Sequence, residues 1–266
     1  MEKIKYPGLS NFIVKHEARS TNPEVVGNEI RQLLRHNKVV NLTLGMHITN
    51  LESFYNGVSE ELGTPIDIAE DYVKAGARTG ERWMEVRYDN DIPDIAAYRH
   101  SKNGQPLHTD ESYSNNPCDV MIFYCQNKAP IGGQTIFVDG LALVERMKVV
   151  DPTLLELLTS TEICYEKSTS KRKEKIIDMS QELPIFNYNY TCISPNESEV
   201  NKRLNQRFSD FLATHIRGSF LEIAVDLNPG ESVYWWDHSV LHGRNPFEAF
   251  KTNDRFIWKT GIKWNE

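Results

Sequence analysis

The chain has 266 residues, with 30 Lys and Arg against 37 Asp and Glu, for a net charge of −7. A hydrophobic fraction of 39% with 25% charged residues describes a soluble globular chain with material for one large core. No apolar run approaches the ~20 residues that span a bilayer, and the acidic balance offers phosphate backbones no general attraction, so neither a membrane nor a nucleic acid is an expected partner. The opening MEKIKYPGLSNF lacks the apolar stretch of a secretory signal, which points to the cytoplasm. Four cysteines, Cys118, Cys125, Cys164 and Cys192, form no C-x-x-C pair and read as small buried groups in a reducing compartment.

Near the N-terminus, Asn22 followed by Pro23 caps a helix through EVVGNEIRQLLRH, with Val26, Ile30, Leu33 and Leu34 on one side. VVNLTL reads as a short strand. NLESFYNGVSEELG places Leu51, Phe54, Tyr55, Val58 and Leu62 at helical spacing and stops at Gly63. From about residue 83 the period changes, and MEVRYD, IAAYRH, VMIFYCQN and GQTIFVDG read as strands. Helical patterns return at LALVERMKVV, at TLLELLTST behind Asp151-Pro152, and at ESEVNKRLNQRFSDFLATHIR, whose apolar side would carry Val200, Leu204, Phe208, Phe211 and Leu212. FLEIAVDL, the turn NPGE, SVYWWDH and RFIWKTGIKW close the chain as strands. Strands on both sides of a helical insertion predict one sheet system in two layers, closed like a jelly roll, whose halves come from distant sequence. No linker or repeat marks a boundary, so residues 1–266 are expected to form a single domain. In it 1–80 supply flanking helices and edge strands, and 81–266 the core with an insertion near 164–196. The basic run KSTSKRKEKIID within that insertion reads as a solvated loop.

The stretch LHTDESY sets His108 and Asp110 two residues apart, so that on a strand or its end both point to one side. By itself the pair fits either a metal clamp or a polar edge strand. Its remote companion is WWDHSVLHGRNPFEAFKTNDRFIWKT, in which His242 is followed by Gly-Arg and, thirteen residues on, by Arg255. Two imidazoles and one carboxylate on one face of an ion make the triad that holds Fe(II) with three positions open.

Five ordered pieces, HTD with Tyr113 following, APIGGQT, LNPGE, HGRNPF and the arginine of NDRF, span residues 107–260. In this set the chain resembles the Fe(II)/2-oxoglutarate-dependent dioxygenases related to taurine dioxygenase, γ-butyrobetaine hydroxylase and clavaminate synthase. The resemblance implies a double-stranded β-helix core, mainly β with flanking α-helices. It implies His108, Asp110 and His242 as ligands and catalytic centre, with Fe(II), 2-oxoglutarate and O2 as cofactor and cosubstrates. Arg255 would grip the distal carboxylate of 2-oxoglutarate through its planar fork, and Thr135 would add a hydroxyl donor. Tyr113, Arg244 and Tyr98 are the candidates for contact with substrate. The implied activity converts 2-oxoglutarate to succinate and CO2 and oxidises a C–H bond of a small polar metabolite of the amino-acid or amino-acid-derivative kind, with hydroxylation as the default. Desaturation, or oxidation in an isonitrile pathway, would use the same chemistry. Asp110 argues against halogenation, which needs a small residue there, and no cysteine-rich N-terminal segment of the carnitine-pathway type is present, which argues against a betaine. In this family the region corresponding to 164–196 often covers the substrate. An acidic surface is compatible with self-association and with a carrier-bound substrate. Two other readings fit parts of the sequence: a non-catalytic protein binding metal or 2-oxoglutarate on the same fold, and a hydrolase using Ser112 or Ser239, for which the chain lacks a G-x-S-x-G elbow. Asp237 and His238 beside the ligand motif read as supporting residues.

Overall fold

The computed structural model describes residues 9–71, 77–92 and 98–265. Its principal elements are β1 (Asn11–Ala18), α1 (Pro23–Leu34), β2 (Asn37–Leu44), α2 (Leu51–Leu62), β3 (Gly63–Ile66), β4 (Met84–Arg87), β5 (Gln105–His108), β6 (Val120–Asn127) and β7 (Thr135–Asp139). They continue with α3 (Gly140–Val150), α4 (Pro152–Ser160), the hairpin β8 (Glu162–Lys167) and β9 (Ser170–Lys175), α5 (Glu199–His215), β10 (Glu222–Val225), β11 (Ser232–Trp236), β12 (Val240–Arg244) and β13 (Phe256–Trp264). The helix starts are written in capping chemistry: Asn22, Asn50, Asp139, Asp151 and Ser198 each accept a backbone N–H of the first turn, and Pro23 and Pro152 stand where no amide donor is needed.

Seven strands form the larger sheet, in the order β1-β2-β11-β6-β13-β3 with β4 also paired to β13, and four form the smaller, β10-β7-β12-β5. Side-chain parity sorts the core into layers. On β6, Val120, Ile122 and Tyr124 pack outward against α1 and α2, whereas Met121, Phe123 and Cys125 face the interior with Trp235 of β11 and Phe137 of β7. On β7 the neighbours of Phe137, Ile136 and Val138, turn to the other side and pack with α3, α4 and α5. The space between the sheets is therefore reached from alternate positions of each strand, and it carries the polar residues of interest.

Several sequence expectations change. β2 is an interior strand, parallel to β1 through the α1 crossover and antiparallel to β11, so residues 1–80 do not supply only edge strands. Its Val39 and Val40 are buried on opposite faces, Val40 under α1 and α2 and Val39 between the sheets, because this sheet is covered on both faces. Of IAAYRH, residues 95–97 lie outside the described residues and Tyr98, Arg99 and His100 form a turn, where Arg244 takes the Tyr98 carbonyl. The basic run is paired as a hairpin. Ile163, Tyr165, Ile176, Ile177, Phe186, Tyr188 and Cys192 are built into the core beside α5, so the 164–196 segment is anchored along most of its length. Val200, expected on the apolar side of α5, stands in the first turn of the helix and is 75% exposed, the buried face beginning at Leu204. The four cysteines are free and buried.

Candidate active site

His108 is the last residue of β5 and His242 stands directly opposite it on β12, so one antiparallel ladder presents both imidazoles. Their ring centroids are 4.3 Å apart. The ladder shifts register between His242 and Arg244, a bulge that re-aims side chains. Gly243 allows it, since a Cβ there would lie 2.7 Å from the Gln105 carbonyl oxygen. Beyond β5 the chain turns sharply. Thr109 fastens the turn to Tyr188, donating its N–H to the Tyr188 carbonyl at 2.7 Å and accepting the Tyr188 N–H on Oγ1 at 2.9 Å. Glu111 has φ 51°, uncommon for a side chain of that size, and is held by its carboxylate, which accepts the Cys118 N–H and pairs with Arg78.

These constraints place Asp110 between the imidazoles, with Oδ1 3.7 Å from His108 Nε2 and Oδ2 3.4 Å from His242 Nε2. Ligand atoms of the three residues all lie within 4.8 Å of one another, and all three residues are buried. Atoms sharing one ion in adjacent positions sit roughly 3 Å apart, so a small contraction closes this set on a metal. The donor chemistry fits. His108 Nδ1 is 2.9 Å from the Pro106 carbonyl, which can only accept, so Nδ1 carries the hydrogen and Nε2 keeps its lone pair. Asp110 Oδ2 is buried without a hydrogen-bond partner. Asp237 supports the set from behind: its Oδ2 accepts the Asp110 N–H at 2.8 Å, its Oδ1 accepts the Trp235 indole N–H at 2.9 Å, and the same oxygen faces His242 Nδ1 at 3.3 Å.

Burial disfavours a charged His242, but the Asp110 and Asp237 carboxylates outweigh it and lift the imidazole to about 9. Burial, aided by the charge of His242, pushes His108 down. Burial alone would raise Asp110, yet Lys259 and His242 hold it well below the usual carboxylate range. Metal must therefore displace a proton from His242 at neutral pH. Its apparent affinity should rise by about tenfold per pH unit below about 9 and level off above. Competition titrations with Co(II) across that range check this, and a flat profile would contradict it.

Thr135 opens β7, opposite Arg244 on the ladder, and is buried. With Arg255, Gly132 and Gly133 it lines a water-sized cavity. Both glycines have positive φ, 78° and 80°, and the carbonyl of Gly133 accepts Arg255 Nε at 3.2 Å. Arg255 is 3% exposed, and among the described residues no carboxylate pairs with it. Burial lowers it to about 10. A desolvated guanidinium in a niche without an acidic partner is a ready site for an incoming anion.

Arg244 lies near Arg255, each guanidinium within 5.5 Å of the Phe247 ring centroid. Its Nη2 donates to the carbonyls of Tyr98, Ser101 and Asn103, which commits that group to backbone. Tyr98 is half-buried and meets this arrangement through its carbonyl. Tyr113 is buried close to the triad and donates its hydroxyl to Glu70. His238 Nδ1 contacts the Phe186 carbonyl at 2.8 Å, a structural contact. Ser239 Oγ donates to the Trp236 carbonyl, so it is no nucleophile poised on a histidine.

Lys259 was not picked out from sequence. It is buried on β13 with Nζ 2.6 Å from Asp110 Oδ1, and the carboxylate more than compensates the burial penalty on its ammonium, holding its pKa high. Gln105 was also missed, and its amide nitrogen sits 3.1 Å from His108 Nε2. The available signal for Lys259 was parity: Arg255, Ile257 and Lys259 alternate with outward-facing residues, so a lysine there must point between the sheets.

The space between the sheets carries a buried His/Asp/His cluster able to hold one metal ion and, apart from it, a buried arginine without a carboxylate partner among the described residues. The chain belongs to the TauD/TfdA family, described as taurine catabolism dioxygenase, whose profile matches residues 16–260. It is 26% identical over 158 residues to the mitochondrial trimethyllysine dioxygenase of Gallus gallus, covering 54% of this chain and 38% of that one. It is 26% identical over 204 residues to a uridine-5′-phosphate dioxygenase of an Amycolatopsis species, covering 70% and 72%. The chain thus spans less than two-fifths of the trimethyllysine dioxygenase it matches. In fold it is similar to the PvcB protein of Pseudomonas aeruginosa, with a TM-score of 0.65 and 17% identity over 96% of this chain and 87% of that one. Among the described residues no helix is long and apolar enough to cross a membrane.

Proposed function

We propose that the protein is an Fe(II)- and 2-oxoglutarate-dependent oxygenase that oxidises an unactivated C–H bond of a small polar metabolite, with hydroxylation as the outcome and succinate and CO2 released. One observation carries this reading: the buried His108, Asp110 and His242 cluster shares the inter-sheet space with Arg255, a desolvated cation without a carboxylate partner among the described residues. We read the two sheets as a double-stranded β-helix and the chain as one dioxygenase domain.

In this reading His108, Asp110 and His242 hold Fe(II), and Arg255 with Thr135 holds the distal carboxylate of 2-oxoglutarate. Bound there, the metal supplies dioxygen activation coupled to decarboxylation of the cosubstrate. The chain's own groups orient and exclude. Pro106 fixes the His108 tautomer and Asp237 aims both Asp110 and His242. Phe137 and Trp235, packed beside His242, keep water from that flank. The structural relatives include an asparagine oxygenase bound to 3-hydroxyasparagine, and PvcB acts in an isonitrile synthetic pathway, which supports an amino acid or derivative as substrate here.

Mixing the protein with Fe(II) and 2-oxoglutarate without oxygen should give a weak visible charge-transfer band. Admitting oxygen with a panel of amino acids and amines should then release succinate in step with substrate. A band without succinate release for any member would favour a binding protein, and no band at all would overturn the metal assignment.

A further inference from the structure

A second charged cluster lies beside the triad and takes no part in holding metal or 2-oxoglutarate. The Glu70 side chain is 8% exposed; its Oε1 accepts the Tyr113 hydroxyl at 2.7 Å and its Oε2 accepts Lys167 Nζ at 2.6 Å. The same ammonium lies 5.3 Å from the centroid of the Tyr113 ring. A carboxylate edge and an aromatic face converge on one alkylammonium, which is how proteins recognise amines.

The cluster adjoins the candidate metal centre. Tyr113 follows Asp110 by three positions. Lys259, paired with Asp110, also acts electrostatically on Glu70, and the charges of Lys167, Glu70 and Asp110 are all felt at the Cys192 thiol. Glu70 further lines a cleft of about 700 Å³ with Met84, Trp83 and Thr79, and the Lys167 side chain on its other side is 36% exposed. Its two sides are unequal. Glu70 is buried and needs a cation, whereas Lys167 is 36% exposed and is carried on β8 next to the exposed Ser168, Thr169 and Ser170 of the hairpin tip. Lys167 can leave for water at little cost; Glu70 cannot.

We propose that Glu70 and Tyr113 form the recognition site for a cationic amine on the substrate, and that Lys167 fills it in the substrate-free protein and withdraws when the substrate's ammonium arrives. This rests on the oxygenase reading in treating the neighbouring centre as the site of chemistry. It differs in sign from a permanent strut, in which Lys167 merely fastens the hairpin. A tethered competitor weakens its rival, and removing it restores affinity.

Calorimetry under anaerobic conditions on Fe(II)-loaded protein, with n-pentylammonium and L-lysine as probes and 1-pentanol as the uncharged counterpart, tests the sign. Lys167→Met should bind at least one cationic probe about tenfold more tightly than the unmodified protein, with 1-pentanol unmoved. Adding Glu70→Gln to that variant should erase the gain. Cationic probes that bind Lys167→Met no better than the unmodified protein, or not at all, overturn the proposal, as does a gain that survives Glu70→Gln. Lys167 is partly exposed, so its variant folds, and that arm decides alone if Glu70→Gln does not. The readout is independent of turnover: a null here beside normal succinate release sinks the amine niche alone, and amine binding without succinate release sinks the oxygenase reading alone.

Discussion

Asp110→Ala should abolish metal binding and 2-oxoglutarate turnover while destabilising the metal-free protein, two effects with separable causes. The carboxylate touches both imidazoles and Lys259 in a buried space. Removing a ligand should exceed the roughly 10–100-fold loss of metal affinity that follows when only a supporting partner is removed. Removing the counter-charge leaves the Lys259 ammonium buried and alone, a change that costs about 3–5 kcal/mol in comparable cases. The double variant Asp110→Ala/Lys259→Met separates the two: stability should return and metal affinity should not. Thermal unfolding with Co(II) titration reads both quantities. Metal binding by Asp110→Ala within tenfold of the unmodified protein would remove Asp110 from the ligand set.

Arg255→Met should act with opposite signs on the two states of the protein. Without cosubstrate, Arg255 is a buried cation with no carboxylate partner among the described residues, so its replacement by an apolar chain of similar length should be neutral or stabilising by about 1 kcal/mol or more. With cosubstrate, the loss of a charge-assisted carboxylate contact costs about 2–5 kcal/mol, which raises the apparent KM for 2-oxoglutarate by roughly 30-fold to several thousandfold. The melting temperature measured with and without 2-oxoglutarate, together with the KM, checks both signs. An unchanged KM would place the distal carboxylate elsewhere.

Much of the layer arrangement was legible because period and burial coincide. VMIFYCQN alternates between the helix-facing and interior sides from Val120 to Cys125 and ends in two exposed polar residues, and β6 occupies those positions. The helix starts were legible for a local reason, since Asn22-Pro23 and Asp151-Pro152 carry their own capping chemistry. The cluster of His108, Asp110 and His242 was legible only as a set, because a His-x-Asp pair is common and His242 joins it through a ladder pairing that no local pattern records. What escaped is long-range charge. Lys167 and Glu70 are 97 residues apart, and Glu70 lies on a two-residue strand without a period to read. Lys259 sits in a stretch whose composition says strand and whose buried ammonium makes sense only once Asp110 is known to face it. The interior place of β2 depended on the arrival of β11 from the far end of the chain.

The alternation of side chains places limits on how this chain can vary in length. Thr135, His242 and Lys259 reach the inter-sheet space through their parity along β7, β12 and β13, and Arg255 does so from the residue that leads into β13. A single inserted or deleted residue upstream within one of those strands would turn its functional side chains toward the helices and its apolar ones toward the metal. Insertions and deletions are therefore confined to connections such as the tip of the β8–β9 hairpin, which lies beyond Lys167 and outside the frames that carry Thr135, His242, Arg255 and Lys259. Differences in loop length among related chains can then reshape what enters the site while leaving the ligand frame in phase.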